Sequence, residues 1–486
     1  MLRPLTIAAV LTATAVAQCT TAIVPVPIGA NGDIRLLRRL ANGDILVAGD
    51  FTSLLGVPAN RIARWNGTTV APLGSGLNGV VHDAIELPNG DLVVGGTFTT
   101  AGGAPIPHIA RWNGTTWSGF GQGPGAPVTC LAARPNGEIY AGAAVVDRVR
   151  RWDGTSWSGI GVPPFPWPGI VLPVWAMHTL PNGDLLLSGW SVVTTPGAFN
   201  CVARWDGTAL HAMPGLGPLS QGGASRFVAR RDGTLLAVGD FLGMLLLQWD
   251  GSTWTQVPGA YSAFGGASDV CELPDGDLVL CGPFSYVGSD PQARGIVRRH
   301  NGVFERIGAG ITDGARTLLP LPSGEVLVGG NMTVVDGQPA NGLALLVPTC
   351  PAAATPYGNA CSGSGGALAL TATSLPYCGG LYTSRTTGLP PNAFGLGLLG
   401  STALAVPLTT VLPQGLPGCT LLASPDELTL LLPTAGAVTT TLAVPNVPVL
   451  VGATLQQQVA SIELGPNGAI TAIATTAGLT LTIGSF

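Results

Sequence analysis

The chain has 486 residues, of which 21 are Lys or Arg and 26 are Asp or Glu, so its formal net charge at pH 7 is -5. Every basic residue is an arginine. Nucleic acids and anionic membranes are usually bound by a basic surface, so this balance argues against either as a partner.

The first 17 residues have the pattern of a secretory signal peptide. Arg3 precedes an apolar stretch from Leu5 to Val16, and small residues at 15–17 form a cleavage site, so the mature chain is predicted to begin at Gln18. A lipid anchor on Cys19 is the alternative, although glutamine is unfavourable directly before a lipidated cysteine. No later segment has about 18 uninterrupted apolar residues, so no transmembrane span is predicted. We therefore expect a secreted protein, extracellular or at the cell surface.

A repeat runs from near residue 30 to residue 349, and two turns mark its copies. The first turn is Asn-Gly, Asp-Gly or Ser-Gly between apolar runs, a strong hairpin signal. The second is Trp-Asn/Asp-Gly, which becomes His300-Asn301-Gly302 in the sixth copy and is absent from the seventh. The glycines of the first turn are Gly43, Gly90, Gly137, Gly183, Gly233, Gly276 and Gly324. Their spacing of 43 to 50 residues is typical of propeller blades, and each copy holds four short strand-like runs.

The seventh copy supplies only three of these four runs. An unassigned run at 21–29, TAIVPVPIG, precedes the first copy and resembles the fourth run at 68–74. We predict that this N-terminal strand completes the last blade, because a closed ring leaves no long unpaired strand edge. The predicted fold is therefore all-β, beginning with a seven-bladed β-propeller at 18–349.

The composition changes after residue 349, following the Pro-, Ala- and Gly-rich joint that starts at Pro348. Residues 350–486 consist of threonine-, leucine- and glycine-rich runs, and their alternation predicts a β-sandwich of about seven or eight strands. The charged residues of this part are Arg385, Asp426, Glu427 and Glu463. So weakly polar an exterior favours a contact surface, against the propeller, the cell surface or another copy of the chain.

Nine cysteines in an exported chain imply disulfides with one thiol left over. The closure model brings Cys19 next to Cys350 and predicts a bond at the seam of the ring. Cys271 and Cys281 flank the turn of blade six and are predicted to pair across it. Three further cysteines lie in the sandwich, and Cys361 with Cys419 is the predicted pair among them. Cys130 and Cys201 are expected to be small buried side chains.

The Val-Gly-Gly end of the second strand, followed by an aromatic pair such as Trp112 and Trp117, resembles kelch and related bacterial secreted propeller repeats. The resemblance covers residues 20–349 and implies a fold, because the same scaffold hosts binding modules and enzymes. A propeller followed by a sandwich is also similar to the layout of galactose oxidase-like copper enzymes. That family requires two copper-binding histidines, one of them from the C-terminal domain, and this chain has no histidine after His300. We predict no metal and no cofactor.

Candidate binding residues lie at the start of each innermost strand, eight and seven residues before the turn glycine. These positions rim the mouth of the central channel, on the face where loops vary between copies, and binding residues usually lie in such loops. The residues with binding chemistry there are Arg35, His82, Asp83, Trp175, Arg226, Asp269 and Arg316. Charged hydrogen bonds and one stacking platform suit a sugar, whereas ion pairs between blades explain the same residues without a ligand.

Two tryptophans depart from the repeat. Trp167 lies in the proline-rich insert at 162–168 and Trp175 follows it, so both are candidates for exposed recognition. The repeated tryptophans instead suggest packing between blades. The favoured hypothesis is a recognition or structural protein that binds an extracellular polysaccharide or protein. The alternative is a glycan-active hydrolase, lyase or oxidase, for which Asp83 and Asp269 are the possible acid-base pair.

Overall fold

The computed structural model describes residues 21–143, 148–161, 174–195, 198–215, 222–262, 265–288, 290–312 and 314–485. Within these residues almost all regular structure is β-strand. The exceptions are a short α-helix at Leu408–Val411 and a single 3-10 turn at Pro448–Leu450. The fold is thus all-β, as predicted.

Seven four-stranded antiparallel sheets form the first part of the described chain. Each sheet begins with a strand on the inside of the ring and ends with a strand on the outside. From inside to outside, the strands are Asp33–Arg39, Ile45–Asp50, Ile62–Trp65 and Val70–Pro72 in blade one; Val81–Glu86, Leu92–Gly96, Ile109–Trp112 and Trp117–Gly119 in blade two; Val128–Ala133, Ile139–Ala143, Val149–Trp152 and Trp157–Gly159 in blade three; Val174–Thr179, Leu185–Thr195, Ala198–Trp205 and Leu210–Ala212 in blade four; Gly223–Ala229, Leu235–Phe241, Met244–Trp249 and Trp254–Gln256 in blade five; Asp269–Glu272, Leu278–Cys281, Ile296–His300 and Val303–Arg306 in blade six; and Ala315–Pro320, Val326–Gly330, Leu343–Pro348 and Thr21–Pro25 in blade seven.

The N-terminal strand closes the ring, as the sequence predicted. Thr21–Pro25 pairs antiparallel with Leu343–Pro348, so Thr21 lies opposite Pro348 and Pro25 opposite Ala344. The innermost strands contact one another in a closed cycle in which blade one adjoins both blade two and blade seven. Ile23 of the closing strand is buried among residues of blades six and seven, whereas its neighbour Val24 is exposed.

The seven turn glycines lie at one end of the ring, which we call the turn face. All seven have positive φ, between 84° and 98°, a conformation that glycine adopts at little cost. The opposite end carries the connections from second to third strands and from blade to blade, and we call it the variable face. Short hairpins that the sequence did not predict extend these connections in blades one, two and seven, at Ser53–Leu54 with Val57–Pro58, Thr100–Ala101 with Ala104–Pro105, and Val334–Val335 with Gln338–Pro339.

Two main sheets form the C-terminal part. The larger sheet contains Ala353–Tyr357, Gly478–Thr482, Thr454–Leu464, Ala393–Gly400, Glu427–Leu431 and Ile470–Thr475, and the smaller contains Ala369–Ala372, Leu381–Thr387 and Ala437–Ala443. Two short hairpins add Ser362–Gly363 with Gly366–Ala367, and Ala403–Pro407 with Thr420–Ala423. The sheets share an apolar core, and Tyr382 Oη of one donates a hydrogen bond to Gln457 Oε1 of the other at 2.6 Å. This arrangement of two sheets is compatible with the predicted β-sandwich, and we call this part the sandwich.

The sandwich contacts the turn face of blades six and seven. Tyr377, only 1% exposed, packs into the apolar core of these blades, and its hydroxyl donates to the Ser323 carbonyl at 3.1 Å. A Cβ at Gly324 would collide with this tyrosine ring. The contact therefore holds the sandwich against the end of the ring opposite the variable face.

The cysteines depart from expectation. Cys361 and Cys419 form a disulfide, whereas five other cysteines are free and buried: Cys130, Cys201, Cys271, Cys281 and Cys378. The predicted Cys271–Cys281 pair is wrong, because the register places Cys271 opposite Val279 and Cys281 opposite Asp269. The predicted partner of Cys350, Cys19, lies outside the described residues.

Candidate functional site

One residue from each blade faces a single cavity of about 220 Å³ at the channel mouth. Each of these residues lies eight positions before its turn glycine, and together they are Arg35, His82, Thr129, Trp175, Ser225, Ser268 and Arg316. We call them the mouth residues. The structure thus brings the innermost strands together around one site.

A β-bulge explains why these side chains face the channel. In blade two, Val81 pairs with Gly96 and Asp83 with Gly95, so His82 is an extra residue without a partner. The register shifts at the equivalent residue of blades one, three, four, five and seven. Such an extra residue re-aims its side chain and bends the strand.

The Gly-Gly end of the second strand makes room for this bulge. A Cβ at Gly96 would overlap the Val80 carbonyl oxygen, and one at Gly330 would overlap that of Gly314. At these two positions glycine allows the first strand to approach closely. Blade three has the same bulge with Ala143 opposite Val128, so the close approach is a property of the blades that carry glycine there.

In blades two, five, six and seven, the residue that follows the mouth residue bonds to a neighbouring blade. The Leu131 N–H donates to Asp83 Oδ2 at 2.8 Å, and the Leu37 N–H donates to Thr317 Oγ1 at 3.4 Å. Between blades five and six, Arg226 Nη1 donates to Asp269 Oδ2 at 3.0 Å. These contacts tie adjacent blades at the level of the mouth.

One electrostatic group crosses the junctions of blades seven, one and two, and it consists of Arg316, Asp33, Arg35 and His82. Asp33 pairs with Arg35 Nε at 3.1 Å and with Arg316 Nε at 2.9 Å. Arg35 Nη1 lies 3.4 Å from His82 Nδ1. Burial, and then the charge of Arg35, lower the pKa of His82 to about 4, while Asp33 acts in the opposite sense. His82 is therefore neutral at pH 7.

Of the eight predicted binding residues, six line the cavity: Arg35, His82, Asp83, Trp175, Arg226 and Arg316. Asp269 is the exception, because its side chain is 2% exposed and contacts the neighbouring blades five and seven. Its oxygens accept hydrogen bonds from the N–H groups of Val270 at 2.9 Å and Leu318 at 2.9 Å. Burial raises its pKa. Trp167 lies outside the described residues.

The acid-base pair of the enzyme hypothesis does not form. That chemistry needs two carboxyl groups that face one substrate. Asp83 borders the cavity, but its oxygens accept the N–H groups of Ala84 and Leu131, each at 2.8 Å. Asp269 does not face the cavity, so the pair lacks its second member.

Repeated tryptophans pack within and between blades, as expected. Trp112 and Trp117 have ring centroids 5.1 Å apart, and Trp117 Nε1 donates to the Leu73 carbonyl of the preceding blade at 3.0 Å. Trp157 Nε1 makes the same contact with the Phe120 carbonyl at 2.8 Å. These side chains hold blades together.

Sequence reasoning missed two other residues of the cavity, Arg38 and His178. Both stand five positions before a turn glycine, where the other blades carry apolar residues or a cysteine, and this difference was a usable signal. Burial lowers the pKa of both side chains.

A second cavity, of about 610 Å³, lies on the variable face between blades six and seven and was not predicted from the sequence. Its lining includes Ser285, Arg294, Thr312 and Asn331. Arg316 lines both cavities, so they adjoin.

No helix among the described residues is long and apolar enough to span a membrane. No cluster of three His, Cys, Asp or Glu side chains there could hold a metal ion.

The closed ring of four-stranded sheets places the chain in the class of β-propeller proteins. A family described as "Domain of unknown function (DUF5122) beta-propeller" matches residues 40–67, which span the second and third strands of blade one. No curated protein matches the chain.

Several solved structures are similar in fold. A catalytically inactive virginiamycin B lyase from Staphylococcus aureus with quinupristin has 12% identity and a TM-score of 0.46, covering 68% of this chain and 99% of that one. YCF48 bound to D1 peptide has 13% identity and a TM-score of 0.42, covering 67% and 94%. The extracellular domain of a hybrid two-component system from B. thetaiotaomicron has 9% identity and a TM-score of 0.44, covering 96% of this chain and 59% of that one. At these values the likeness concerns the fold alone.

Proposed function

We propose that the first 17 residues direct export and that the protein acts outside the cell as a recognition protein. In this proposal the variable face of the propeller binds an extracellular polysaccharide or protein. The observation that carries the proposal is the convergence of one side chain from every blade on a single cavity. Charged, aromatic and hydroxyl groups meet there, a mixture that can fix a polar ligand.

The position of the sandwich supports this choice of face. Tyr377 anchors it to the turn face at Ser323, at the far end of the ring from the mouth residues. The turn face repeats nearly the same hairpins in every blade, whereas the variable face carries loops that differ. Rigid scaffolds usually carry their binding residues in such loops.

The kelch-like character of the repeat belongs to the same proposal, as does the division into a propeller at 18–349 and a sandwich at 350–486. The kelch-like character rests on the Val-Gly-Gly end of the second strand and the aromatic pair that follows it. The division rests on the extent of the repeat and on the change of composition after residue 349. A glycan-active enzyme is the weaker hypothesis, because the Asp83 and Asp269 carboxyl groups do not face one substrate.

A variant that fills the mouth tests the proposal whatever the ligand. Ser225 is an exposed mouth residue, and Ser225→Tyr places a ring in the cavity without removing a charge. The full mature chain would be screened against immobilised extracellular polysaccharides and proteins. We expect Ser225→Tyr to abolish the binding observed. Ala41→Tyr, which adds the same bulk on the turn face, should leave it unchanged. Equal binding by both variants would contradict a ligand at the mouth.

A further inference from the structure

We propose that the mouth cavity binds a polysaccharide that carries carboxylate groups, of the polyuronate class. This inference rests on the proposed function, since it names the class of ligand for the same face. Three features of the described residues support it: the local charge, the unused donors of one arginine, and the placement of Trp175.

Positive charge predominates at the mouth. Four arginines line the cavity, namely Arg35, Arg38, Arg226 and Arg316, while Asp83 is the one described carboxylate among the lining residues. Asp33 and Asp269 lie behind it, paired with Arg35 and Arg226. Four positive charges thus meet three negative ones, with His82 neutral, in a chain whose net charge is -5. A local excess of this sign attracts anions.

Arg316 keeps donors available for a ligand. Asp33 engages its Nε, and no described residue accepts a hydrogen bond from either terminal nitrogen. The Arg316 side chain is 38% exposed, so a ligand can reach it. A guanidinium held in this way offers N–H groups in the geometry that suits a carboxylate.

Trp175 favours a sugar over an acidic peptide. It belongs to blade four, which lies across the ring from the junction of blades seven and one, where Arg316 and Arg35 lie. A pyranose ring can stack on an indole while its carboxylate faces the arginines. A peptide groove would instead need an exposed strand edge or apolar pockets for side chains, and polar groups dominate the lining described here.

The adjoining cavity allows more than one sugar to bind. It shares Arg316 with the mouth and extends outward past Thr312 and Asn331 to Arg294. A chain of acidic sugars that entered the mouth could continue along this path, with a second guanidinium beside it.

The test compares two ligands that differ only in charge. Oligogalacturonate and its fully methyl-esterified form would be titrated calorimetrically against the full mature chain in calcium-free buffer, with oligoglutamate as the acidic peptide. We expect the free acid to bind about tenfold or more tightly than the ester, and added salt to weaken its binding. Equal affinity for acid and ester would overturn the carboxylate inference while leaving recognition at the mouth intact.

Matched variants locate the contact. Arg316→Gln should lower the affinity for oligogalacturonate about tenfold. Arg316→Lys should lower it by less, because lysine keeps the positive charge but not the paired N–H donors of the guanidinium. Arg39→Gln removes the same charge from the turn-face end of blade one and should change nothing. All variants would first be checked for unchanged melting temperature. Binding that survived Arg316→Gln would overturn the assignment, as would binding of oligoglutamate alone. Failure of all three ligands would overturn the inference too, whereas the proposed function would fail only if the wider screen were also silent.

Discussion

At the scale of single residues, neighbours in the same strand perform different tasks at the mouth. His82 faces the cavity, whereas Asp83 accepts a hydrogen bond from the next blade. The bulge separates the two tasks, because it re-aims one residue of each pair. A substitution at the first position should therefore change binding, and one at the second should change stability.

Asp269 provides the clearest test of the second position. Asp269→Ala leaves the Arg226 guanidinium and the Leu318 N–H without their shared acceptor. Removing one partner of a buried ion pair costs about 3–5 kcal/mol, so we expect a loss of this order in the free energy of unfolding, measured with urea. Glu305→Ala removes an exposed carboxylate from blade six and should stay within about 0.5 kcal/mol. Similar values for the two variants would contradict the inference that Asp269 stabilises the contacts between blades five, six and seven.

His82 makes stability depend on pH. Its pKa is about 4 in the folded protein and about 6.5 when unfolded, so the unfolded chain binds more protons between these values. Its contribution to stability is complete above pH 6.5 and is lost as the pH falls towards 4. Allowing for partial exposure, we expect the wild type to lose on the order of 1 kcal/mol relative to His82→Gln between pH 7 and pH 5. Parallel pH profiles for the two proteins would contradict this assignment.

At the scale of elements, the glycine opposite the bulge of blade seven lets the first strand lie close to the second. In blade seven, Ala315 pairs with Gly330 and Thr317 with Gly329, which leaves Arg316 as the extra residue. The close approach is between backbone atoms, so no side chain can move aside to relieve a clash.

Gly330→Ala should therefore destabilise the protein by about 1–3 kcal/mol through forced displacement of the strand. Because Arg316 would move with it, ligand affinity should fall as well. Gly119→Ala is a suitable control, since its Cβ would meet Ile106 at 3.4 Å, an ordinary contact. Chemical denaturation of both variants measures the difference, and equal stabilities would contradict a backbone clash at Gly330.

The elements that sequence could predict are those with a local cause. The seven turns were predictable because Asn-Gly and Asp-Gly dipeptides favour positive φ. The seam was predictable because the seventh copy has only three strand-like runs and the run at 21–29 belongs to no other copy. Register was not predictable, since alternation alone does not reveal where a bulge inserts a residue. The wrong Cys271–Cys281 pair and the burial of Asp269 both follow from register. The strands of the short hairpins on the variable face have only two residues each, which is too few to produce a periodic pattern in the sequence.

At the scale of the whole molecule, one strand joins the two ends of the propeller. Ile23 is 1% exposed in the seam, whereas Val24, beside it in the same strand, is 43% exposed. We expect Ile23→Ala to cost about 2–5 kcal/mol in the free energy of unfolding, because it leaves a cavity between blades. Val24→Ala should change stability by less than about 0.5 kcal/mol. Equal effects in thermal melting would contradict closure of the ring by this strand.

Ring closure also determines where function can lie. It brings one side chain from every blade to the mouth, while Tyr377 fixes the sandwich to the opposite face. The mouth is therefore assembled from segments far apart in sequence, and its pairings, such as Arg316 with Asp33, could not be read from the sequence.

Hydrogen exchange on the full mature chain, with and without the tightest ligand from the screen, tests the central claim most directly. If the mouth is the binding site, protection should appear where the first strands of the blades begin, around Arg35, His82, Trp175 and Arg316. The turn hairpins and the sandwich should exchange at unchanged rates. Protection confined to the sandwich or to the turn face would contradict the account and assign recognition to another surface.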